Sequence, residues 1–351
     1  MKQIRLVINA AGCETTCSHC WANGGRYKNM SFDDIQLVVN LFKDFAGNNG
    51  YNLGFSVMHE LLAHQDAVRI VQLKNEQNKD NPYYHAHQIP TSGIPIAIRE
   101  DYKELLDGLV ENKVTNLHFA LHGMGATHDT AVNCKDAFEK LTISIERTKA
   151  AGMICTFVVY LNKTSIYQLK EIKKFLFNYE IKPSFMIARY ISGKRLRKYD
   201  EIRVEYSDIV SNWEEMCELY PDVNIEAYKN STEAAFYEKA IQGKDVTTEA
   251  DIQGDTINLV CDKDFNIYDG SANVLTKCYG NLKENAVEVF EKLNDDIINN
   301  SMEYVFSPAL FYPNEIIPPL KELAEKYGDK NGQKVYLAGI YYKWLDNAFL
   351  K

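Results

Sequence analysis

The sequence predicts an α/β fold in which parallel strands alternate with helices, followed by a smaller α+β domain. Over about the first 220 of its 351 residues, short apolar runs alternate with longer stretches of helical periodicity, and this rhythm stops near residue 230. A chain of this length suits one large and one small domain. Because helical crossovers join parallel strands, we expect either an open sheet or a partial barrel.

Six strand and helix pairs account for the first part of the chain. The first pair is a strand over residues 4–9 and a helix over 31–45, which Ser31 suits as N-cap, with acidic residues in the first turn. Further strands are expected at residues 53–57, 94–98, 117–121, 153–160 and 183–188. Further helices are expected at residues 63–74, 102–111, 137–150, 165–177 and 206–219. Residues 75–95 are polar and contain three prolines, which predicts a long loop over the site.

The remainder of the chain follows a different pattern. Residues 257–261 and 265–268 read as a hairpin with a turn at 262–264. Helical periodicity follows at residues 283–293, 315–327 and 338–348. We therefore expect two domains, residues 1–229 and residues 230–351.

Composition excludes several classes of protein. With 46% hydrophobic and 25% charged residues, the chain can bury a packed core. Its formal net charge of −9 argues against binding to nucleic acid or to an anionic membrane surface, because phosphates would be repelled on average. No segment is long and apolar enough to span a bilayer, and the N-terminal residues lack a signal pattern, so a cytoplasmic location is expected.

The strongest chemical signal is a cluster of three cysteines directly after the first strand. Cys13, Cys17 and Cys20 are spaced C-x3-C-x2-C, and the carboxyl end of a strand is where parallel folds place their sites. Thiolates suit iron–sulfur clusters and zinc. In a [4Fe–4S] cluster, three cysteines leave one iron without a protein ligand, where a reaction can occur.

The alternative for these cysteines is structural zinc. A closed tetrahedral site needs a fourth ligand, for which Cys261, Cys278 and His19 are the candidates. This alternative describes a zinc-stabilised binding protein without enzymatic activity.

The segment GCETTCSHCW, residues 12–21, resembles the signature of the radical S-adenosylmethionine superfamily. The resemblance implies a partial (β/α)6 TIM-like barrel, a [4Fe–4S] cluster, and S-adenosylmethionine bound to the open iron through its amino and carboxylate groups. It also implies reductive cleavage to a 5′-deoxyadenosyl radical that removes a hydrogen atom from the substrate. An electron donor such as flavodoxin or ferredoxin is part of the same expectation.

The segment GFSVMHELLAHQD, residues 54–66, resembles the second-strand segment of that superfamily, which often reads Gly-Gly-Glu-Pro. The corresponding residues here are Met58, His59, Glu60 and Leu61. The resemblance implies that Glu60 contacts the methionine amino group, with a backbone contact at His59.

Later segments resemble the same superfamily in the expected order. FALHGMGATHD, residues 119–129, resembles the fourth-strand segment and brings His122 and His128 to the pocket end of a strand. Each could serve as a base or hydrogen-bond partner, or be a loop histidine with a purely structural hydrogen bond.

Three more cofactor contacts follow from the resemblance. It implies that Asn162 lies against the adenosine, that Arg189 pairs with the methionine carboxylate, and that His19 packs near the adenine.

Residues 262–270 and 277–290 resemble the start of the SPASM or Twitch extension, which carries additional clusters in many peptide-modifying relatives. Only Cys261 and Cys278 are present, and two thiolates are too few for a cluster, so we expect a degenerate extension without one. Either cysteine could instead donate a hydrogen atom to a substrate radical, or be a small buried residue.

The expected function is hydrogen-atom abstraction from a peptide or peptide-like natural product. The alternative within the same chemistry is a small metabolite such as a sugar or amino acid, acted on by an epimerase or dehydrogenase.

Overall fold

The fold is given by a computed structural model, which describes four parts of the chain. These are residues 2–79 apart from 19, 21–23, 27 and 28; residues 86–187 apart from 182; residues 201–238 apart from 233, 236 and 237; and residues 256–295 apart from 272 and 273. The helices predicted at 315–327 and 338–348 lie outside the described residues.

Nine strands are present in the described parts of the chain. In order they are β1 Gln3–Ile8, β2 Asn52–Val57, β3 Gln88–Thr91, β4 Asn116–Leu121, β5 Ile154–Leu161, β6 Pro183–Ile187, β7 Thr256–Cys261, β8 Asn266–Ser271 and β9 Val274–Asn281.

Eleven α-helices accompany these strands in the same parts of the chain. In order they are α1 Phe32–Asn48, α2 Ala67–Gln77, α3 Ile94–Ile98, α4 Tyr102–Glu111, α5 Ala126–Val132, α6 Ala137–Ala150, α7 Leu169–Asn178, α8 Tyr206–Ser211, α9 Trp213–Leu219, α10 Ile225–Asn230 and α11 Leu282–Leu293. None of the described helices is long and apolar enough to cross a bilayer.

The strands form two sheets, one ordered β2-β1-β7-β8-β9 and one ordered β3-β4-β5-β6. Strand β1 pairs in parallel with both β2 and β7, and the four strands of the second sheet are parallel throughout. Among the described strands, β8 pairs antiparallel with both β7 and β9. The predicted α/β fold with parallel strands is therefore confirmed, and the described strands do not close into a full barrel.

Helices cover one face of each sheet. In the first sheet, Leu6 and Ile8 are buried in one cluster with Phe42 of α1. In the second, Phe119 is buried in a cluster that includes Leu141 of α6. Because successive strand residues point to opposite faces, the alternate residues face away from these helices. We call that second surface the inner face; on β4 and β5 its residues are Asn116, His118, Ala120, Thr156, Val158 and Tyr160.

The third strand and the following segment differ from the expectation. Residues 94–98, predicted as a strand, form helix α3, and the third strand is β3, within the segment predicted as a long loop. Gly93 precedes α3 with a φ of 82°, and Pro95 lies in its first turn, where proline is tolerated. The alternation of isoleucine with smaller residues in this segment is typical of a strand, and a five-residue helix is too short to show its own periodicity.

Two elements were not predicted. Helix α5 follows β4 in a segment to which no element was assigned, and β9 extends the predicted hairpin into three strands. The division into domains at residue 229 stays a prediction. Strand β7, which lies beyond that boundary, pairs residue by residue with β1.

Gly93 provides a test of how β3 and α3 are joined. A Cβ built on Gly93 would lie 3.2 Å from Leu141 Cδ1 and 3.3 Å from the Phe119 ring, whereas at Gly50, with a φ of 72°, it would meet none of the described atoms within 4 Å. We expect Gly50→Ala to lower the free energy of unfolding by about 1 kcal/mol, from backbone strain alone. Gly93→Ala adds overpacking and should cost roughly 2–4 kcal/mol in total. Urea unfolding of both variants measures this, and equal losses would contradict the packing at Gly93.

Candidate active site

Residues 9–30, which we call the cysteine loop, follow β1 and contain neither helix nor strand among their described positions. The two ends of this loop are closed by hydrogen bonds. The Met30 amide donates to the Ala10 carbonyl at 2.9 Å, and the Gly12 amide donates to Asn29 Oδ1 at 2.8 Å. Inside this closure, the Cys13 amide donates to the Gly25 carbonyl at 2.9 Å. The loop is therefore tied to the carboxyl end of β1.

The middle of the cysteine loop is held by helix α5. The Thr16 amide donates to the Val132 carbonyl at 3.1 Å, and the Ser18 amide and hydroxyl both donate to the Ala131 carbonyl at 3.0 Å. Asn133 adds a bond from its side-chain amide to the Thr16 hydroxyl at 2.7 Å. The last carbonyls of a helix have no partner within the helix, so α5 has acceptors available for this loop.

The three cysteines are free thiols with polar neighbours. Thr15 is 3% exposed, and its hydroxyl oxygen lies 3.0 Å from Cys13 Sγ and 3.4 Å from Cys17 Sγ. The Gly24 amide donates to Cys20 Sγ at 3.1 Å. Hydrogen bonds to sulfur stabilise the thiolate form that binds iron, so the loop is suited to hold a metal-bound set of sulfurs.

Gly24 lies where the cysteine loop meets His59, two residues after the end of β2. A Cβ built on Gly24 would lie 3.0 Å from His59 Nδ1, 3.4 Å from Cys20 Sγ and 3.7 Å from Cys13 Cβ. His59 has a φ of 72°, a left-handed conformation that favours glycine. The structure thus brings together Cys13, Cys20 and His59, which were predicted separately, around a glycine that was not.

Glu60 is a buried carboxylate, 3% exposed, at the break between the two sheets. Its Oε1 accepts from the Thr91 hydroxyl at 2.9 Å, and its Oε2 accepts from the Ser92 amide and hydroxyl, each at 2.6 Å. It therefore links the segment after β2 to the end of β3. Burial raises the pKa of Glu60, while these hydrogen bonds oppose the rise.

The carboxylate of Glu60 also affects the pKa of the Cys13 thiol. Burial raises the pKa of Cys13 to about 11, and the negative charge of Glu60 is the second cause. The Thr15 hydrogen bonds act in the opposite direction. A cationic metal centre supplies the positive charge that a thiolate needs in such a site.

The ends of β4 and β5 bring three further predicted residues together. The His122 ring stacks on Tyr160, with centroids 4.8 Å apart and planes 19° apart. The His122 amide donates to His128 Nδ1 at 3.2 Å, and Asn162 Nδ2 donates to the His122 carbonyl at 3.3 Å. Asn162 Oδ1 also accepts from the Thr164 and Ser165 amides. The contact of Asn162 with adenosine stays a prediction.

His128 is 2% exposed in α5, and burial lowers its pKa to about 4, against the opposing charge of Asp129. Since Nδ1 accepts a hydrogen bond, the neutral ring carries its proton on Nε2. His128 thereby ties α5, which holds the cysteine loop, to the end of β4. This geometry supports a role for His128 in positioning α5.

The two C-terminal cysteines lie in different environments. Cys261 ends β7 opposite Ile8 of β1 and is fully buried in the core between the first sheet and its helices. Cys278 is exposed on β9 opposite Tyr268. The pKa of Tyr268 is raised to about 12, first by burial and then by Asp262 and Cys278. A hydrogen-donor role stays a prediction for both cysteines, and only Cys278 is solvent-accessible.

Two predicted site residues, His19 and Arg189, lie outside the described residues. Within the described ranges, no group of three or more His, Cys, Asp and Glu side chains is arranged to hold a single metal ion.

Sequence reasoning missed Thr15, Asn29 and the carbonyls of α5, which hold the cysteine loop. Thr15 carries a detectable signal, because it lies between two cysteines and offers a hydroxyl. The other anchors depend on residues far apart in the chain and leave no local pattern.

Residues 8–176 match the family model of the radical SAM superfamily. A search of curated proteins returns no match.

Solved structures of similar fold cover most of the chain. Native anSMEcpe with bound AdoMet is 14% identical, with a TM-score of 0.54, and the match covers 99% of this chain and 97% of that one. Native anSMEcpe with bound AdoMet and the Cp18Cys peptide is 15% identical, with the same coverage and a TM-score of 0.53. Streptococcus suis SuiB bound to the precursor peptide SuiA is 13% identical, covering 86% of this chain and 67% of that one, with a TM-score of 0.53. At these identities the likeness concerns the fold.

Gly24 tests the geometry of the cysteine loop. We expect Gly24→Ala to reduce iron incorporation severalfold, because its Cβ would displace Cys20 Sγ or His59. Gly25→Ala is the matched control, since its Cβ meets its nearest atom, Thr16 Cγ2, at 3.9 Å. Visible absorbance after anaerobic reconstitution measures the difference, and equal incorporation by the two variants would show that Gly24 is not a close neighbour of the cysteines.

His128 predicts a pH dependence of stability. The unfolded chain binds a proton at this histidine near pH 6.5, and the folded chain only near pH 4. Its contribution is therefore complete above pH 6.5 and is lost as the pH falls toward 4, by about 3 kcal/mol in total. His128→Asn keeps an acceptor for the His122 amide without titrating, so urea unfolding between pH 7 and 4 should show a flatter dependence. His87→Asn, at an exposed histidine, is the control. Parallel pH profiles for wild type and His128→Asn would contradict the buried neutral ring.

Proposed function

From the premise that residues 8–176 form a radical S-adenosylmethionine domain, we propose that this enzyme abstracts a hydrogen atom from a peptide or peptide-like natural product. The observation that carries the proposal is the set of three free thiols at the carboxyl end of β1, within that domain. A non-enzymatic zinc protein, the alternative left by the cysteine spacing, is not compatible with this family.

The donor set fits a [4Fe–4S] cluster with one open iron. Cys13, Cys17 and Cys20 would be its ligands. The Gly24 amide would donate a hydrogen bond to Cys20 Sγ, and Thr15 would donate its single hydroxyl proton to Cys13 Sγ. When bound, the cluster and S-adenosylmethionine supply the 5′-deoxyadenosyl radical. The chain's own residues bind and orient that cofactor and keep water from the radical.

We propose that Glu60 contacts the methionine amino group. Its carboxylate accepts from the Thr91 hydroxyl on Oε1 and from the Ser92 amide and hydroxyl on Oε2, and a backbone hydrogen bond from Leu62 also favours its charged form. A cationic amino group would add a charge-assisted hydrogen bond to this carboxylate. The left-handed turn at His59 keeps the main chain beside the cysteine loop, which supports the proposed backbone contact there.

We also propose three further cofactor contacts, which are supported only by the resemblance to the superfamily. They are Asn162 toward the adenosine, Arg189 toward the methionine carboxylate, and His19 toward the adenine.

A peptide substrate is supported by the solved structures of similar fold. The SuiB structure contains the precursor peptide SuiA, and the anSMEcpe structure contains the Cp18Cys peptide. The anSMEcpe match covers 99% of this chain, so that likeness includes the segment that carries β7, β8 and β9. We propose that residues 230–351 act as a cluster-free extension of the radical domain.

The proposal also includes an electron donor such as flavodoxin or ferredoxin. The eight cysteines are free thiols, which suits a reducing compartment and supports the proposed cytoplasmic location.

The experiment supplies anaerobically reconstituted enzyme with S-adenosylmethionine, dithionite and one of two deuterated pools. One pool is a proteolytic digest of deuterated protein, and the other is a mixture of deuterated sugars and amino acids. We expect deuterium in 5′-deoxyadenosine from the peptide pool only, because the abstracted atom moves to the cofactor carbon. Deuterium only from the small-molecule pool would overturn the peptide assignment.

Matched cysteine variants identify the cluster ligands. Cys17→Ala should abolish S-adenosylmethionine cleavage, because two thiolates do not hold the cluster. Cys217→Ala, at a partly exposed cysteine of α9, should cleave at the wild-type rate. Cleavage retained by Cys17→Ala would contradict the proposed mechanism.

A further inference from the structure

Three polar side chains on the inner face of β4 and β5 form a hydrogen-bonded chain. His118 Nδ1 lies 2.9 Å from the Thr156 hydroxyl oxygen, and the Thr156 hydroxyl donates to Asn116 Oδ1 at 3.0 Å. His118 and Thr156 are register partners on adjacent parallel strands. None of the three residues takes part in the cysteine loop or its anchors.

The donors and acceptors in this chain fix the tautomer of His118. Asn116 Oδ1 can only accept, so the single hydroxyl proton of Thr156 is committed to it. The Thr156 oxygen is then available only as an acceptor, and His118 must donate to it from Nδ1. In the neutral ring this leaves Nε2 as a bare acceptor.

Burial keeps the His118 ring neutral. The ring is half-buried, and its loss of solvent lowers its pKa below the ordinary value for histidine. At neutral pH, therefore, Nε2 accepts hydrogen bonds instead of donating them.

The acceptor is accessible from the inner face. His118 Nε2 has no hydrogen-bond partner within the described part of the chain, and the residue retains partial exposure. The next residue of β4 on this face toward the carboxyl edge is Ala120, which has a small side chain. At about 3.3 Å per residue, His118 lies roughly 13 Å below His122, on the floor of the inner face.

We propose that His118 Nε2 is a substrate-recognition acceptor that binds an N–H or O–H donor of the substrate. This inference rests on the proposed function and deepens it, because it assigns a requirement to the substrate. A peptide satisfies the requirement with a backbone amide, a side-chain amide or a hydroxyl. A site built around a fixed acceptor discriminates against analogues that lack the donor.

The tautomer is tested without any ligand. Full-length protein labelled with 15N-histidine is reconstituted anaerobically, and the ring nitrogens are observed by long-range 1H–15N NMR at pH 7.5. We expect His118, assigned from its loss in His118→Asn, to carry its proton on Nδ1. Thr156→Val should give a mixture of tautomers, while Thr156→Ser, which keeps the hydroxyl, should restore the wild-type signal. A wild-type ring protonated on Nε2 would overturn the proposal.

The recognition is tested with two capped glycine probes. N-acetylglycinamide has N–H donors, and its fully N-methylated analogue has none. We expect the first probe to shift the His118 Nε2 signal saturably. The second probe should bind at least fivefold more weakly, as the loss of one hydrogen bond implies. Equal binding of the two probes, or no saturable displacement, would overturn the proposal.

The failure of this inference can be told apart from failure of the proposed function. S-adenosylmethionine cleavage by the same reconstituted wild-type sample reports on the radical chemistry and does not require His118 to bind a donor. Cleavage together with equal binding of both probes would remove His118 from recognition and leave the proposed function intact.

Discussion

The structure depends on how a loop without regular secondary structure is held in place. The described parts of the cysteine loop contain no helix or strand, so other elements must satisfy its backbone groups and fix its sulfurs. Asn29 and the end of β1 close its two ends, while the last carbonyls of α5 hold its centre. The positions of the three thiols are therefore set partly by an element more than one hundred residues away. His128 extends this dependence to β4, because its ring accepts a hydrogen bond from the strand's end and keeps α5 in place.

A second constraint is the break between the two sheets. Strands β2 and β3 follow each other in the chain but belong to different sheets, and Glu60 connects them through Thr91 and Ser92. A buried carboxylate costs free energy unless hydrogen bonds compensate it, and the bonds from Thr91, Ser92 and the Leu62 backbone do so here. The same carboxylate lies close enough to Cys13 to raise its pKa. Glu60 thus links the two sheets and also raises the pKa of a cysteine in the cysteine loop.

Much of the fold is readable from the sequence because hydrophobic periodicity is a local property. The strand before the cysteines, the helix capped by Ser31 and the helix over residues 137–150 follow from it directly. The segment GCETTCSHCW carries the resemblance to the family. The strand predicted at residues 94–98 was wrong because five residues carry too little periodicity, and Gly93 and Pro95 decide the conformation of this segment.

The anchors of the cysteine loop could not be predicted, since the bond from Ser18 to Ala131 joins residues that only the folded chain brings together. The tautomer of His118 likewise depends on the register of β4 with β5, which periodicity does not specify.

The most direct measurement is the content of iron, acid-labile sulfide and zinc per chain after anaerobic reconstitution. The proposed ligation by Cys13, Cys17 and Cys20, together with the proposed cluster-free extension, predicts about four irons and about four sulfides. Zinc without iron would contradict the radical site itself, and about eight irons would contradict an extension that lacks a cluster.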